Sequence, residues 1–380
     1  MFVCRLPIPL FWLMHTIEMG TVPQVNGITI GATNEETAEF WSNLMNCDRS
    51  FDIPLVDQGP VPVPNLPAQI KVNGVSLLLD IGVACVSPHH SGMHSLFSLL
   101  KYPGMISAQP DFRFRSSTAQ IDTHKKKVVS DEFGCGMAFS VARQVFGKTD
   151  FLDFQTATNV GLVTTNAPQS RQPDYLAWGT ALPNEIMLLE AKGTQTSLAY
   201  GISQISNACD QLQAASVIAN GYTQTRFAVA TALMREGTVD PSTIYVGDPD
   251  ARTPYKYAIQ GDAKQAIQNS HYSRISDFIG DYELSRRFDV QTSAGGKERV
   301  HRVVLGAETV GTTLRLGSVN RQVEIFVGIT SSIRSELLRR KFVQTSGATL
   351  TRHAKVNGAH SIAVLHGDGS CLEFTQIDLM

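Results

Sequence analysis

The sequence predicts an α/β (α+β) fold, on three observations. Between residues 130 and 234, apolar runs of strand length alternate with segments of helical periodicity, in the order helix, three strands, helix, strand. Pro- and Gly-rich turn chemistry breaks the chain on both flanks of that region. A length of 380 residues exceeds what one core sustains, and 43% hydrophobic against 17% charged residues supplies enough apolar side chain for two or three units. The expected organisation is an N-terminal segment with a β-hairpin over 1–110, a central α/β unit over 111–247 and a C-terminal α+β unit over 248–380.

Composition removes several classes of function. Lys and Arg number 32 and Asp and Glu 34, a formal charge of -2, so no global field draws the molecule to a polyanion or an anionic membrane, and such binding must be local. The six cysteines stand singly without a CxxC pair, which argues against a zinc ribbon and a disulfide scaffold and fits a reducing cytoplasm. The opening MFVCRLPIPLFWLM is apolar but short and broken by Pro7 and Pro9, so it reads as a packing segment and not as a signal peptide. No apolar run approaches the ~18 residues that span a bilayer. A soluble, cytoplasmic protein is expected.

In chain order, GPVPVPNLP (59–67) is extended and proline-locked, closing off the first segment. QIKVNGVSLLLDIGVACV reads as a hairpin turning at Asn73-Gly74. DFRFR (111–115) alternates with strand period and sets Arg113 and Arg115 on one face. SDEFGCGMAFSVARQVFG, capped by Ser130 and ended by Gly147, is a helix. FLDFQTA, PDYLAWG and EIMLLEAKG are strands, residues 198–219 a second helix and TRFAVATALM (225–234) a strand buried on both faces. Beyond it we expect a helix near 263–289, strands around 300–305 and 322–329, a basic helix SSIRSELLRRKF, and a hairpin turning at Gly367-Asp368-Gly369.

The chemistry concentrates in the hairpin PDYLAW/EIMLLEAKG. Its pairing places Asp174 opposite Leu189, one residue from Glu190, so that two carboxylates meet at its open end within the error of a bulge. Glu190 and Lys192 share a face because strand side chains alternate. Two carboxylates a few ångströms apart raise each other's pKa unless a cation neutralises them, and a divalent metal is the natural one.

These residues, Pro173-Asp174 and, 16 positions after the aspartate, Glu190-Ala191-Lys192, resemble the PD-(D/E)XK nuclease superfamily. The resemblance covers about 130–235, and the element order matches that superfamily's core, a central mixed sheet flanked by helices, here with N- and C-terminal α+β embellishments. It implies that Asp174 and Glu190 hold magnesium or manganese, with the Ala191 carbonyl a further ligand. Lys192 would then orient or deprotonate the attacking water and stabilise charge on the phosphate. It also implies an acid from the preceding helix, Glu132 by position, and a glutamine from the following helix, Gln204, which shares a face with Gln211. The Glu132 charge also fits a helix N-terminus for its dipole, and Gln204 also fits a solvated polar face. The subgroup with a tyrosine four residues after the glutamine is not reproduced, since Ala208 and Ala215 stand there.

A second copy of the motif, Pro249-Asp250 and Asp262-Ala263-Lys264, opens a helical pattern, so Asp262 reads as a helix cap. His89, His90 and His94 lack cysteine or paired-carboxylate neighbours and read as an ordinary loop. Lys125, Lys126 and Lys127, just before the first helix, join Arg113 and Arg115 either as a basic stripe for a phosphate backbone or as a solvated charge run. Arg339, Arg340 and Lys341 pose the same pair of readings. The expectation is a magnesium-dependent nuclease, directed to DNA more than RNA. Many chains with such idiosyncratic flanks resemble effectors of restriction or anti-phage defence, with partner subunits or oligomers controlling the cut. The rival readings are a catalytically silent scaffold subunit with a nuclease-like fold and an RNA-directed nuclease.

Overall fold

The computed structural model describes residues 28–85, 99–165, 172–214, 217–219, 221–249, 257–259, 261–279, 281, 283–284, 288, 300–317, 321–339, 343, 345–356 and 359–378. The opening apolar segment, His89, His90, His94, Ala215, Asp250, Arg340 and Lys341 lie outside the described residues.

The chain begins with β1 (Ile28–Gly31), α1 (Asn34–Cys47), β2 (Ser50–Asp57), β3 (Gln69–Asn73) and α2 (Gly74–Ala84). Next come α3 (Thr123–Phe146), β4 (Asp150–Asp153), α4 (Phe154–Asn159), β5 (Val163–Thr165), β6 (Tyr175–Trp178) and β7 (Glu185–Thr194). They are followed by α5 (Leu198–Ala214), β8 (Val217–Ala219), β9 (Thr223–Ala232), β10 (Thr243–Gly247), β11 (Tyr257–Ile259) and α6 (Ala263–Ile279). The last elements are β12 (Val300–Val304), β13 (Ala307–Gly317), β14 (Arg321–Thr330), α7 (Ser331–Leu338), β15 (Thr349–Val356), β16 (Ala359–His366) and β17 (Ser370–Asp378).

The architecture is mixed α+β. A central mixed sheet runs β3-β2-β10-β9-β7-β6-β4, a second sheet runs β1-β13-β14-β17-β16-β15 with β12 on β13, and a small sheet runs β5-β11-β8. Within the central sheet β7 is antiparallel to β6 and parallel to β9, the crossover being made by α5. β2 and β3 belong to this same sheet, with β2 parallel to β10, and β1 belongs to the second. The boundaries at 110 and 247 therefore do not coincide with sheet boundaries.

Helices α1, α2, α3 and α6 contribute to one core with both large sheets: Leu44, Leu78, Phe139 and Tyr272 pack in a cluster with Leu189 and Val229 on one side and Ile325 and Phe374 on the other. The opposite face of the central sheet, through Leu188, Leu176 and Ala230, packs on Ile205, Ala208 and Leu212 of α5 and on Val163 and Tyr257 of the small sheet.

Three sequence expectations are corrected. Asn73-Gly74 is not a hairpin turn: Asn73 caps α2, its side chain accepting from the N–H groups of Val75 and Ser76. All residues of α2 are buried, and a short apolar run of that kind does not reveal its period. Gly74 serves close approach, since a Cβ there would stand 2.6 Å from the Cys47 carbonyl. The helix expected at 130 begins at Thr123 with Asp122 as its cap, and the Ser130 hydroxyl instead donates to the Lys126 carbonyl inside it. DFRFR is not a strand; Phe114 makes isolated bridges to Ile106 and Arg235. As expected, a strand pair turns at 367–369, and Asp262 accepts from the Gln265 N–H at the start of α6.

The layers are joined by a buried ionic network. Arg143 of α3 pairs with Asp80 of α2 and, at 3.3 Å, with Asp368 in the β16–β17 turn. Asp368 also lies 3.0 Å from His271 Nε2 of α6 and accepts from the Ser370 N–H and hydroxyl. His366 Nε2 contacts the Ser76 hydroxyl at 2.9 Å, and the Ser140 hydroxyl donates to Asp80. Burial, helped by Arg143, pushes the His366 pKa down to about 3. Arg143 and His271 hold Asp368 well below the usual carboxylate range despite its burial.

Two outcomes follow from the network. Arg143→Met leaves Asp80 and Asp368 without their cation and should cost about 3–5 kcal/mol in chemical denaturation; a loss under ~1 kcal/mol contradicts its role. His366 is neutral in the fold and basic when unfolded, so its contribution is complete above the unfolded value near 6.5 and falls away as pH drops toward 3. The stability advantage of the wild type over His366→Gln should therefore shrink by about 1.4 kcal/mol per pH unit below pH 6.5. A pH-independent difference contradicts this.

Candidate metal centre

In the β6–β7 hairpin Tyr175 pairs with Leu189, Leu176 with Leu188 and Ala177 with Met187. That is one residue from the register expected, and it brings Asp174 level with Glu190 itself. One step further along, Pro173 falls opposite Ala191, and a proline has no N–H to offer a ladder. So β6 begins only after it, while β7 continues along β9 to Thr194. Residues 190–194 of β7 have β9 on one side and, among the described residues, no paired strand on the β6 side. The Asp174 side chain takes up one backbone group left over there, Oδ2 accepting the Ala191 N–H at 2.8 Å. The N–H and C=O of one strand residue point the same way. The Ala191 carbonyl therefore faces the same open side.

Along β7, Ile186 and Leu188 pack toward α5, and alternation carries Glu190 and Lys192 onto that face. The Lys192 ammonium forms an ion pair with Glu190 Oε1 and lies 3.9 Å from Asp174 Oδ2. Glu190 is 0% exposed, whereas the side chains of Lys192 and Asp174 are 26% and 35% exposed, so the cluster is closed beneath and open above. The Lys192 ammonium is the ion-pair partner of Glu190, and the Asp174 N–H also faces its carboxylate. Burial first, and then the Asp174 carboxylate, push the Glu190 pKa up to about 8, against the pull of Lys192. Burial also raises Asp174, opposed by Lys192 and the Ala191 N–H. For Lys192 burial disfavours the ammonium, but the two carboxylates outweigh it and the pKa rises.

Among the described residues no group of three or more His, Cys, Asp or Glu side chains is gathered closely enough for a metal cage. Two carboxylates with a backbone carbonyl beside them are oxygen donors of the kind taken by a small hard cation that keeps part of its water shell, such as magnesium or manganese.

The neighbours sort differently from their sequence order. Glu132 turns away to an ion pair with Lys101 at 3.6 Å. Asp131, the acid beside it, has its pKa raised by burial, opposed by Lys127 and then by Lys192, so it is the acid of this helix that senses the cluster. The helix phase is set by two glycines: a Cβ on Gly134 would stand 2.7 Å from the Lys192 carbonyl carbon, and one on Gly193 would collide with the Ser130 carbonyl. Backbone meets backbone, and Asp131, one turn before Gly134, comes to the Lys192 end of β7. The glycines were visible in the sequence, but their pairing across 59 positions was not.

Gln204 makes no hydrogen bond to the carboxylates or Lys192 among the described residues. Gln211, on the same flank of α5, donates to the Gln172 carbonyl two residues before Asp174 and so anchors the segment that carries it. Arg113 and Arg115 are not a basic stripe. Arg113 pairs with Asp111 and donates to Thr238, and Arg115 donates to Asn43 and the Ile106 carbonyl, so both guanidinium groups are committed inside the fold. Lys125, Lys126 and Lys127 lie in the first turns of α3, not before it. Gln195 of the segment after β7 donates to the Lys126 carbonyl and the Ser130 hydroxyl, which places that basic turn at the same end of the sheet as Lys192. Arg339 closes α7 and is exposed. Arg334 in that helix is paired with Asp281 and Glu283.

No known protein family, curated protein or solved structure matches the chain. Among the described residues no helix is long and apolar enough to cross a membrane.

The glycine crossing gives a direct check. Gly193→Ala should cost about 1–3 kcal/mol in denaturant unfolding, as overpacking does. Gly31→Ala, with nothing within 4 Å of its Cβ position, should be near neutral. Equal effects at the two sites contradict the close contact.

Proposed function

We propose that the chain is a magnesium- or manganese-dependent nuclease with a PD-(D/E)XK-type core formed by α3, β4, β6, β7, α5 and β9. The observation that carries this reading is the convergence of Asp174, Glu190 and Lys192 on one face at the unpaired end of β7. The order helix, strand, strand, strand, helix, strand supports it, as does the parallel pairing of β7 with β9 across α5.

In this reading Asp174, Glu190 and the Ala191 carbonyl hold the cation, which when bound polarises the phosphodiester and acidifies a water. The chain's own contributions are positional and electrostatic. The Asp174 carboxylate is oriented by the Ala191 N–H, and its strand is anchored by Gln211. Lys192, whose pKa is raised, serves as a cation that donates to a phosphate oxygen or to the attacking water, in preference to acting as a base. Asp131 replaces Glu132 as the acid contributed by the first helix. Lys126 donates to the Ala119 carbonyl and Lys127 faces Asp131, so the basic turn of α3 is partly engaged within the fold, and its charge at this end of the sheet also suits a passing phosphate backbone. DNA is the proposed polymer, and a restriction or anti-phage defence complex the proposed setting.

Labelled DNA and RNA incubated with the protein and magnesium or manganese test the reading. Wild type should cut DNA, and Lys192→Ala, assayed at a temperature where circular dichroism shows it folded, should cut about 10²–10³-fold more slowly. Cutting of RNA alone corrects the substrate. Failure of the wild type to cut either polymer favours a scaffold subunit.

A further inference from the structure

We propose that Lys192 is a built-in counter-cation for the carboxylate pair, which a divalent metal must displace from the same oxygens before the site can work. The inference rests on the metal-binding reading above and concerns how that site is controlled. The ammonium does not stand apart from the carboxylates in the position of a group waiting for a phosphate. It contacts Glu190 Oε1 and lies 3.9 Å from Asp174 Oδ2, within reach of both acids that a shared cation would use.

Glu190 is sealed from solvent, its neighbours being the Lys192 ammonium and the Asp174 N–H, so among the described residues that ammonium is the cation in contact with the pair. Asp174 has the Ala191 N–H, a neutral dipole, on Oδ2. From α3, Asp131 faces Lys127 first and Lys192 second. Two carboxylates in a protected site need a positive charge, and the flexible four-carbon stem of lysine supplies one that can also leave. Binding of a divalent cation is thus an exchange: the ammonium gives up the carboxylates and swings toward solvent, where Lys192 is already 26% exposed. The same movement carries it toward the position of a substrate phosphate. Metal occupancy and placement of the phosphate-facing lysine become one event.

The test is manganese binding by calorimetry to the full chain and to Lys192→Met, with the rise in melting temperature on adding manganese as a second reading. Removing the competitor should tighten manganese binding by about tenfold or more and enlarge the melting shift. Unchanged or weaker binding by the variant overturns the inference while leaving the metal site standing. Absence of binding by both proteins removes the metal site itself. Should Lys192→Met fold poorly, the wild type still decides. Saturating manganese should increase reductive methylation of Lys192, followed by peptide mass spectrometry, and an unchanged labelling rate overturns the exchange.

Discussion

A single buried cation, the guanidinium of Arg143, ties the molecule together. It sits where α2, α3 and the β16–β17 turn meet, and it answers Asp80 and Asp368 at once. Leaving either carboxylate unanswered in that interior would cost several kcal/mol, comparable to the stability of a whole domain. The network therefore admits one arrangement of the second sheet against the helices that cover the central one. His271 and Tyr272 extend the constraint to α6, which holds the β16–β17 turn through Asp368. The shared apolar core supplies the bulk of the stabilisation, and the polar network selects the register in which that core closes.

Set beside it, the Asp174–Glu190–Lys192 cluster has a different character. In the Arg143 network the carboxylates Asp80 and Asp368 also accept from a hydroxyl or a backbone N–H, and both are enclosed. Glu190 is as deeply buried, but its companions Asp174 and Lys192 open to solvent. What separates the two charge groups is access: one is closed on every side, and the other stands at a rim that something from outside can reach.

How much of this was legible in the sequence follows from the range of each signal. The apolar strands β7 and β9, the helix between them and the hairpin of β6 with β7 are local patterns, and they were readable. Alternation put Glu190 and Lys192 on one face, and the hairpin pairing brought Asp174 to them with a register one residue off. What escaped depended on distant contacts. α2 is apolar on every side, so its period was invisible, and Asn73-Gly74 suits a cap as well as a turn. β13 and β15 are rich in Thr, Gly and charge, and they become strands because β14 and β16 pair with them. Arg113 and Arg115 looked like free cations because their carbonyl acceptors lie elsewhere in the chain. The choice between Asp131 and Glu132 is one of helix phase, decided by where Gly134 meets Gly193.

The proline of Pro173-Asp174 links the two levels. Because it cannot donate to Ala191, the β6 ladder stops at Tyr175 while β7 runs on beside β9. That overhang leaves the Ala191 N–H to a side chain instead of a strand partner. Asp174, the first residue after the break, can then turn its carboxylate onto the Ala191 N–H and hold it level with Glu190. An ordinary residue at 173 would extend the ladder, bury the Ala191 carbonyl in a strand hydrogen bond and close the edge. On this account the proline is a structural requirement of the site: it ends the β6 ladder at the point where two acids and a lysine meet.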